Sequence, residues 1–152
     1  MNFREANIND LQALLELEQC VIDAERPFNS SIKSGKTSYY DLHSLIASND
    51  AHVIVLEDSA GIIATGYAQL RTSKMSLDHD IHSYMGFMYV IPEHRGKGIN
   101  QQIMEMLISW SHEKGVNDFY LDVYSQNAQA IKAYEKIGFE PCLLEMKLNL
   151  VR

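Results

Sequence analysis

Arg95-Gly96-Lys97-Gly98-Ile99-Asn100 sets glycines and cations side by side where a strand pattern gives way to a helix pattern. Such a run can hold a phosphate. Glycine tolerates the left-handed torsions of a tight turn and puts no side chain between backbone and ligand. The first N–H groups of a helix lack partners of their own, and together with the positive helix end they favour an anion. Arg95 and Lys97 add charge at the same place. The apolar run Tyr84-Met85-Gly86-Phe87-Met88-Tyr89-Val90-Ile91, closed by Pro92, precedes the turn as a strand. After it, Ile99, Ile103, Met106, Leu107 and Trp110 recur at helical spacing. Taken alone, the same turn also suits plain strand-to-helix geometry.

A second motif runs Asn127-Ala128-Gln129-Ala130-Ile131-Lys132-Ala133-Tyr134-Glu135-Lys136-Ile137-Gly138-Phe139, after the strand-like Phe119-Tyr120-Leu121-Asp122-Val123. In order and context the pair resembles the GNAT superfamily of acetyl-CoA-dependent N-acetyltransferases. Its pattern is Gln/Arg-x-x-Gly-x-Gly/Ala after a strand, then a helix with Asn-x-x-Ala-x-x-x-Tyr-x-x-x-Gly-Phe. Arg95 and Gly98 fit the first element; Asn127, Ala130, Tyr134, Gly138 and Phe139 fit the second. Asn100 departs, standing where the family has Gly or Ala.

The resemblance implies acetyl-CoA as cosubstrate, no metal, and direct attack of a primary amine on the thioester. It puts the pyrophosphate on the backbone of Arg95, Gly96, Lys97, Gly98, Ile99 and Asn100. The pantetheine arm would pair like an extra strand with Met88, Tyr89 and Val90, its thioester oxygen meeting a backbone N–H near Met88. Asn127 caps its helix, contacts pantetheine, or does both. Tyr134 takes the position of the general acid, a role open to a phenol that stays neutral beforehand. Asp122 is the candidate base, with Glu25 and Asp41 as rivals and a water relay as the option without any side chain. Glu25, Phe28, Tyr39 and Tyr40 in the first inter-helix loop, with Tyr84 on the strand, would wall the acceptor site, where rings beside carboxylates suit a cation. The acceptor is a small-molecule amine or a protein or peptide amine. A catalytically silent acyl-CoA-binding module is the alternative class of function.

The elements needed to position these residues can be read along the chain. A strand over residues 2–6 leads to a helix capped by Asn9 or Asp10, with Leu11, Leu14, Leu15, Val21 and Ile22 on its apolar side. Arg26-Pro27 ends it. A short helix over 41–46, a strand hairpin over 52–70 and a polar loop follow, then a strand over 82–91 and a helix over 98–114. Strand 118–124, helix 127–137 and strand 142–150 complete an order that matches the GNAT arrangement. The fold class implied is α/β (α+β): a mixed, mostly antiparallel sheet with a splayed parallel strand pair and flanking helices, as one domain over 1–152.

With 152 residues and 22% charged residues the chain has the composition of an ordinary globular protein. A formal charge of -7 argues against nucleic-acid binding, which needs a basic face. No apolar run reaches the length of a membrane span, and the start lacks a secretory pattern, so a cytoplasmic location is expected. Cys20 and Cys142 read as small core residues. His79 and His82 read as solvated loop histidines, short of the ligands zinc takes. The last strand could pair across a homodimer.

Overall fold

Five strands form one mixed sheet in sequential order: β1 Asn2–Glu5, β2 Ala51–Asp58, β3 Gly61–Thr72, β4 Ile81–Val90 and β5 Phe119–Tyr120. The first four pair antiparallel, and β5 runs parallel to β4. This computed structural model describes residues 1–151, in two compact units, Met1–Asp122 and Val123–Arg152. The first holds the sheet and helices α1 Leu11–Glu25, α2 Leu42–Ala47 and α3 Ile99–Glu113; the second holds α4 Ala128–Ile137.

Asp10, one of the two expected cap positions, is the N-cap residue of helix α1, but the side-chain cap comes from Asn7 before the preceding turn. Asn7 accepts from the Asn9 N–H at 2.9 Å, and Asp10 reaches back to the Asn7 N–H at 2.8 Å, which makes a capping box. A 3-10 turn, Ile8–Asp10, comes between cap and helix, so the orphan N–H groups lie earlier than an α-helical count puts them. The buried face is Leu14, Leu17, Glu18, Val21 and Ile22, while Leu15 is exposed. Arg4 on β1 grips Asp10 with both terminal nitrogens at 2.8 Å and Glu57 on β2 with Nε at 2.9 Å. Strand, hairpin and helix start are thereby tied at one corner.

That corner can be tested. The Arg4 guanidinium, through its hydrogen bonds, holds the Asp10 carboxyl below the usual carboxylate range. Asp10→Ala removes the cap partner and leaves Arg4 short of an anion, so a loss of about 2 kcal/mol in urea unfolding is expected. A depressed carboxyl stabilises fully above its unfolded value of about 3.9 and loses that contribution as pH falls through the folded value. The gap between parent and variant should therefore close in acid.

The sheet is covered on both faces. Val53, Val55, Tyr67 and Phe87 pack with Leu14, Leu17 and Val21 of α1 and Leu42 and Leu45 of α2. On the other face an added Cβ at Gly66 would come 2.9 Å from Ile103 of α3, which shows how closely that helix lies on β3. The buried residues of α3 are Ile99, Ile103, Met104, Leu107 and Ser111. Met106, expected inside, is 39% exposed and Met104 replaces it, because a 3.6-residue period carries the stripe from 103 and 104 to 107 and 111. Each large side chain so buried contributes roughly 2 kcal/mol.

Three further expectations are corrected. The strand over 118–124 contracts to Phe119–Tyr120, whose pairing stops at Tyr84, before β4 bulges. The strand over 142–150 does not form: its apolar residues alternate, but a strand needs a ladder partner, and among the described residues the second unit has no other extended element to pair with it. Cys20 is an exposed free thiol beside Tyr89 rather than a core residue, because α1 turns its 14–18–22 stripe inward and leaves position 20 outside. Cys142 is likewise exposed, lying in the segment without a strand.

Candidate active site

Strand β4 is interrupted where the site would need it. Tyr67 of β3 pairs with Gly86, but Thr65 pairs with Tyr89, so one residue of β3 faces two of β4. Phe87 absorbs the extra residue at φ 54, in the left-handed region that a bulky side chain rarely enters. Such strain persists only where surrounding packing imposes it, and it clusters at functional positions. The bulge also flips side-chain parity. Tyr84 faces α1, as do Phe87 and Tyr89, whereas strict alternation would put Met88 there. Met88 instead faces Gly66, where an added Cβ would come 2.5 Å from its sulfur.

Beyond β4, a 3-10 turn Pro92–His94 runs into the glycine turn and α3. Gly96 sits at φ +79 and Gly98 at φ +76, and an added Cβ on either would meet no atom within 4 Å. Both glycines are thus demanded by torsion and face open space. Gly98 is the N-cap residue and supplies no side-chain cap, so the first N–H groups of α3 are not closed off from that side. Ile99 puts its side chain into the core and has only backbone to offer. Buried Asn100 Oδ1 has no hydrogen-bond partner among the described residues. A built anion cradle next to an unsatisfied amide oxygen fits a phosphate-bearing ligand that also carries N–H donors, as the pyrophosphate and pantetheine amides of coenzyme A do. The cations are partly engaged. Arg95 Nε donates to Val90 O at 2.9 Å, and Lys97 Nζ lies 3.3 Å from His94 Nδ1.

The expected acceptor wall is fastened by a residue that the sequence reading passed over. Glu18, 1% exposed on the inner face of α1, accepts the N–H groups of Tyr39 at 2.9 Å and Tyr40 at 2.8 Å. Its signal was a carboxylate spaced four residues from Leu14 and Ile22. Arg26 holds the loop further along, donating to Lys33 O and Gly35 O. Tyr40 then stacks on Phe87 at 4.9 Å and meets Tyr67 edge-on at 5.6 Å and Tyr39 edge-on at 5.7 Å. Burial pushes the Tyr40 and Tyr84 hydroxyls above their ordinary value, so both phenols are neutral near pH 7. Glu25 at the end of α1 is half-buried beside Tyr39, and desolvation raises its carboxyl above the usual range. Phe28 ends the 3-10 turn Arg26–Phe28 that follows.

Of the candidate bases, Asp41 is committed elsewhere. It caps α2, taking the Ser44 N–H at 3.2 Å and the Ser44 hydroxyl at 2.8 Å, and these bonds lower its pKa. Asp122 accepts the Tyr84 hydroxyl at 2.9 Å, on the face of the sheet that carries Tyr67 and Tyr40. His79 and His82 are not solvated as expected. Ser73 Oγ bridges their Nδ1 atoms at 2.8 and 2.9 Å, and His79 Nε2 meets the Tyr120 hydroxyl at 2.9 Å, because the 73–80 loop folds back onto the end of β5. In the second unit, Asn127 caps α4 by accepting the Ala130 N–H at 3.2 Å. Gly138 at φ +119 ends the helix, the Phe139 N–H closes on Tyr134 O, and the Tyr134 and Phe139 rings meet edge-on at 6.2 Å.

Comparison with known proteins agrees with this architecture. The acetyltransferase (GNAT) family model matches residues 17–139. An L-methionine sulfoximine/L-methionine sulfone acetyltransferase from Salmonella typhimurium is 24% identical over 142 residues, 91% of this chain and 80% of that protein. The chain covers only 26% and 31% of the length of two other curated acetyltransferases that it matches. The crystal structure of a BH1408 tetramutant from Bacillus halodurans superposes with a TM-score of 0.85 at 24% identity, covering 99% of this chain and 100% of its own. A predicted acetyltransferase from Clostridium acetobutylicum, solved with acetyl-CoA, superposes at 0.75 with 21% identity over 99% of this chain and 96% of its own. At these identities the structural likenesses show a shared fold.

Proposed function

Since the chain belongs to the GNAT family of acetyltransferases, we propose that it moves the acetyl group of acetyl-CoA to a primary amine by direct attack. The observation that carries this reading is the unit of bulged β4, open glycine turn and α3, which presents backbone donors along one continuous stretch. Bound along that stretch, acetyl-CoA supplies the activated acyl carbon. The N–H groups from Arg95 to Asn100 receive the pyrophosphate, and the Asn100 amide oxygen takes an N–H from the ligand. Backbone at Met88–Val90 pairs with the pantetheine arm, and the Met88 N–H beside the bulge stabilises charge developing on the thioester oxygen. Asp122, held by Tyr84, is the group on this face that takes a proton from the amine, and Tyr134 returns one to the departing sulfur. Asn127 contributes to pantetheine binding besides capping α4.

Glu25, Phe28, Tyr39, Tyr40 and Tyr84 receive the acceptor, an amine that is cationic in solution. Supporting this, Glu25 bears a desolvation penalty that a bound ammonium would relieve, among rings that attract cations. Glu25→Gln should raise the acceptor KM about tenfold. The pH dependence has a definite sign. Glu25 is neutral below its raised pKa and charged above it, so parental KM should fall as pH rises through that value. In the Gln variant this limb should vanish, as steady-state kinetics over pH would reveal.

The reading as a whole is tested by thiol release from acetyl-CoA against a panel of amines, alongside calorimetric titration with CoA. Transfer to at least one amine supports it. Tight CoA binding without transfer to any amine would identify an acyl-CoA-binding module instead, and binding of ATP in preference to CoA would refute both.

A further inference from the structure

Arg71, near the end of β3, makes no ion pair within 4.0 Å among the described residues, in a chain with 20 acidic side chains and 13 basic ones. Its guanidinium lies over the Tyr84 ring instead, with Cζ 3.8 Å from the ring centroid, and Nε donates to Gln69 Oε1 at 2.9 Å. Ring and amide fix the side chain while its terminal nitrogens keep their donors for another partner. The rim of the same ring carries the opposite charge, since the Tyr84 hydroxyl donates to Asp122 at 2.9 Å. Tyr67 lies next in the cluster at 6.4 Å; burial raises its pKa, and to a smaller extent Arg71 opposes that rise and Asp122 adds to it. One aromatic side chain therefore holds a cation and an anion apart.

We propose that this pair recognises a free α-amino acid: Arg71 takes its carboxylate and Asp122 faces its amine. The assignment rests on the acetyl-transfer reading above and names the class of acceptor within it. An α-amino acid carries both charges on one carbon, so its two partners must stand within the breadth of a side chain, as the two flanks of Tyr84 do. A guanidinium presents paired N–H donors that match a carboxylate, and its stacking on Tyr84 reduces the freedom lost on binding. The amine points toward the carboxylate proposed as its base. It gives up a proton there, its nitrogen bonds the acyl carbon as the carbon–sulfur bond breaks, and the thiolate takes a proton.

The other charges near Arg71 leave this role open. His82, its cross-strand neighbour, is shifted toward the neutral form by burial, by His79 and by Arg71 itself. Asp118 faces His79 and His82. A polyamine has no carboxylate for Arg71 and would bring like charge beside its exposed guanidinium.

The test compares L-methionine with L-methioninamide, which keeps the amine and loses the carboxylate charge. Binding is measured by calorimetry with CoA present, and transfer by thiol release. The parent should prefer the free acid on the order of 30-fold, mainly in Kd and KM. Arg71→Met, which keeps an apolar stem over the ring, should bring the ratio near one, and Arg71→Lys should restore part of it. Equal affinity of the parent for acid and amide, or a ratio unchanged in Arg71→Met, would overturn the assignment even if amines are acetylated. A preference in binding that Arg71→Met abolishes, with no thiol released, would uphold the carboxylate subsite and refute the transferase reading alone.

Discussion

Gly98→Val is expected to lose affinity for coenzyme A on the order of 100-fold while the protein remains folded. The valine side chain would project into open space at the N-terminus of α3, where the phosphates are proposed to lie. Keeping them away forfeits at least two charge-assisted hydrogen bonds from backbone N–H groups, about 3 kcal/mol together. Valine at φ +76 also strains the backbone by roughly 1–2 kcal/mol, so stability must be followed separately. Gly115→Val is the matching control. Gly115, at φ +83, likewise has nothing within 4 Å of an added Cβ, and it lies beyond the far end of α3. The two variants should lose similar stability, and only Gly98→Val should lose CoA binding. Equal CoA affinity in both would remove the turn from the cofactor site.

Tyr134→Phe should lower kcat about 100-fold and leave the Kd for acetyl-CoA near its parental value. Phenylalanine keeps the edge-on contact with Phe139 and the backbone closure that ends α4, so the helix should survive the change. The hydroxyl and its proton are lost. An ordinary phenol titrates near pH 10 and is protonated at neutral pH, which suits delivery to a sulfur leaving as thiolate. The readout is the split between kcat and Kd, together with circular dichroism to verify helix content. Parental turnover in the Phe variant would make Tyr134 a packing residue and water the acid.

Local pattern was enough for much of this. The Arg95–Asn100 turn, the helix it opens and the Asn127–Phe139 motif are contiguous stretches whose torsions and spacing are written in the residues themselves. Family membership followed from the same two stretches. Asn127 as a cap, Asp41 as the start of α2 and the hairpin at Ser59-Ala60 were legible for the same reason, because each depends on neighbours a few positions away.

What depends on partners distant in sequence was decided only by tertiary structure. The alternation of β4 reads as unbroken, yet its pairing with β3 inserts an extra residue at Phe87 and turns Phe87 and Tyr89 toward α1. No local signal carries that shift, since register is a property of two strands. The terminal stretch 142–150 reads equally well as a strand and forms none among the described residues, because period alone supplies no ladder partner. Glu18, Tyr67 and Arg71 were invisible as site residues for a related reason. The amides of Tyr39 and Tyr40 reach Glu18 across 21 and 22 positions, and the Tyr84 ring brings Arg71 together with Asp122. Sequence determined the character of the Arg95–Asn100 turn, where backbone torsion and helix polarity act locally. The charge pattern around Tyr84 exists only once β3, β4 and β5 have folded against one another.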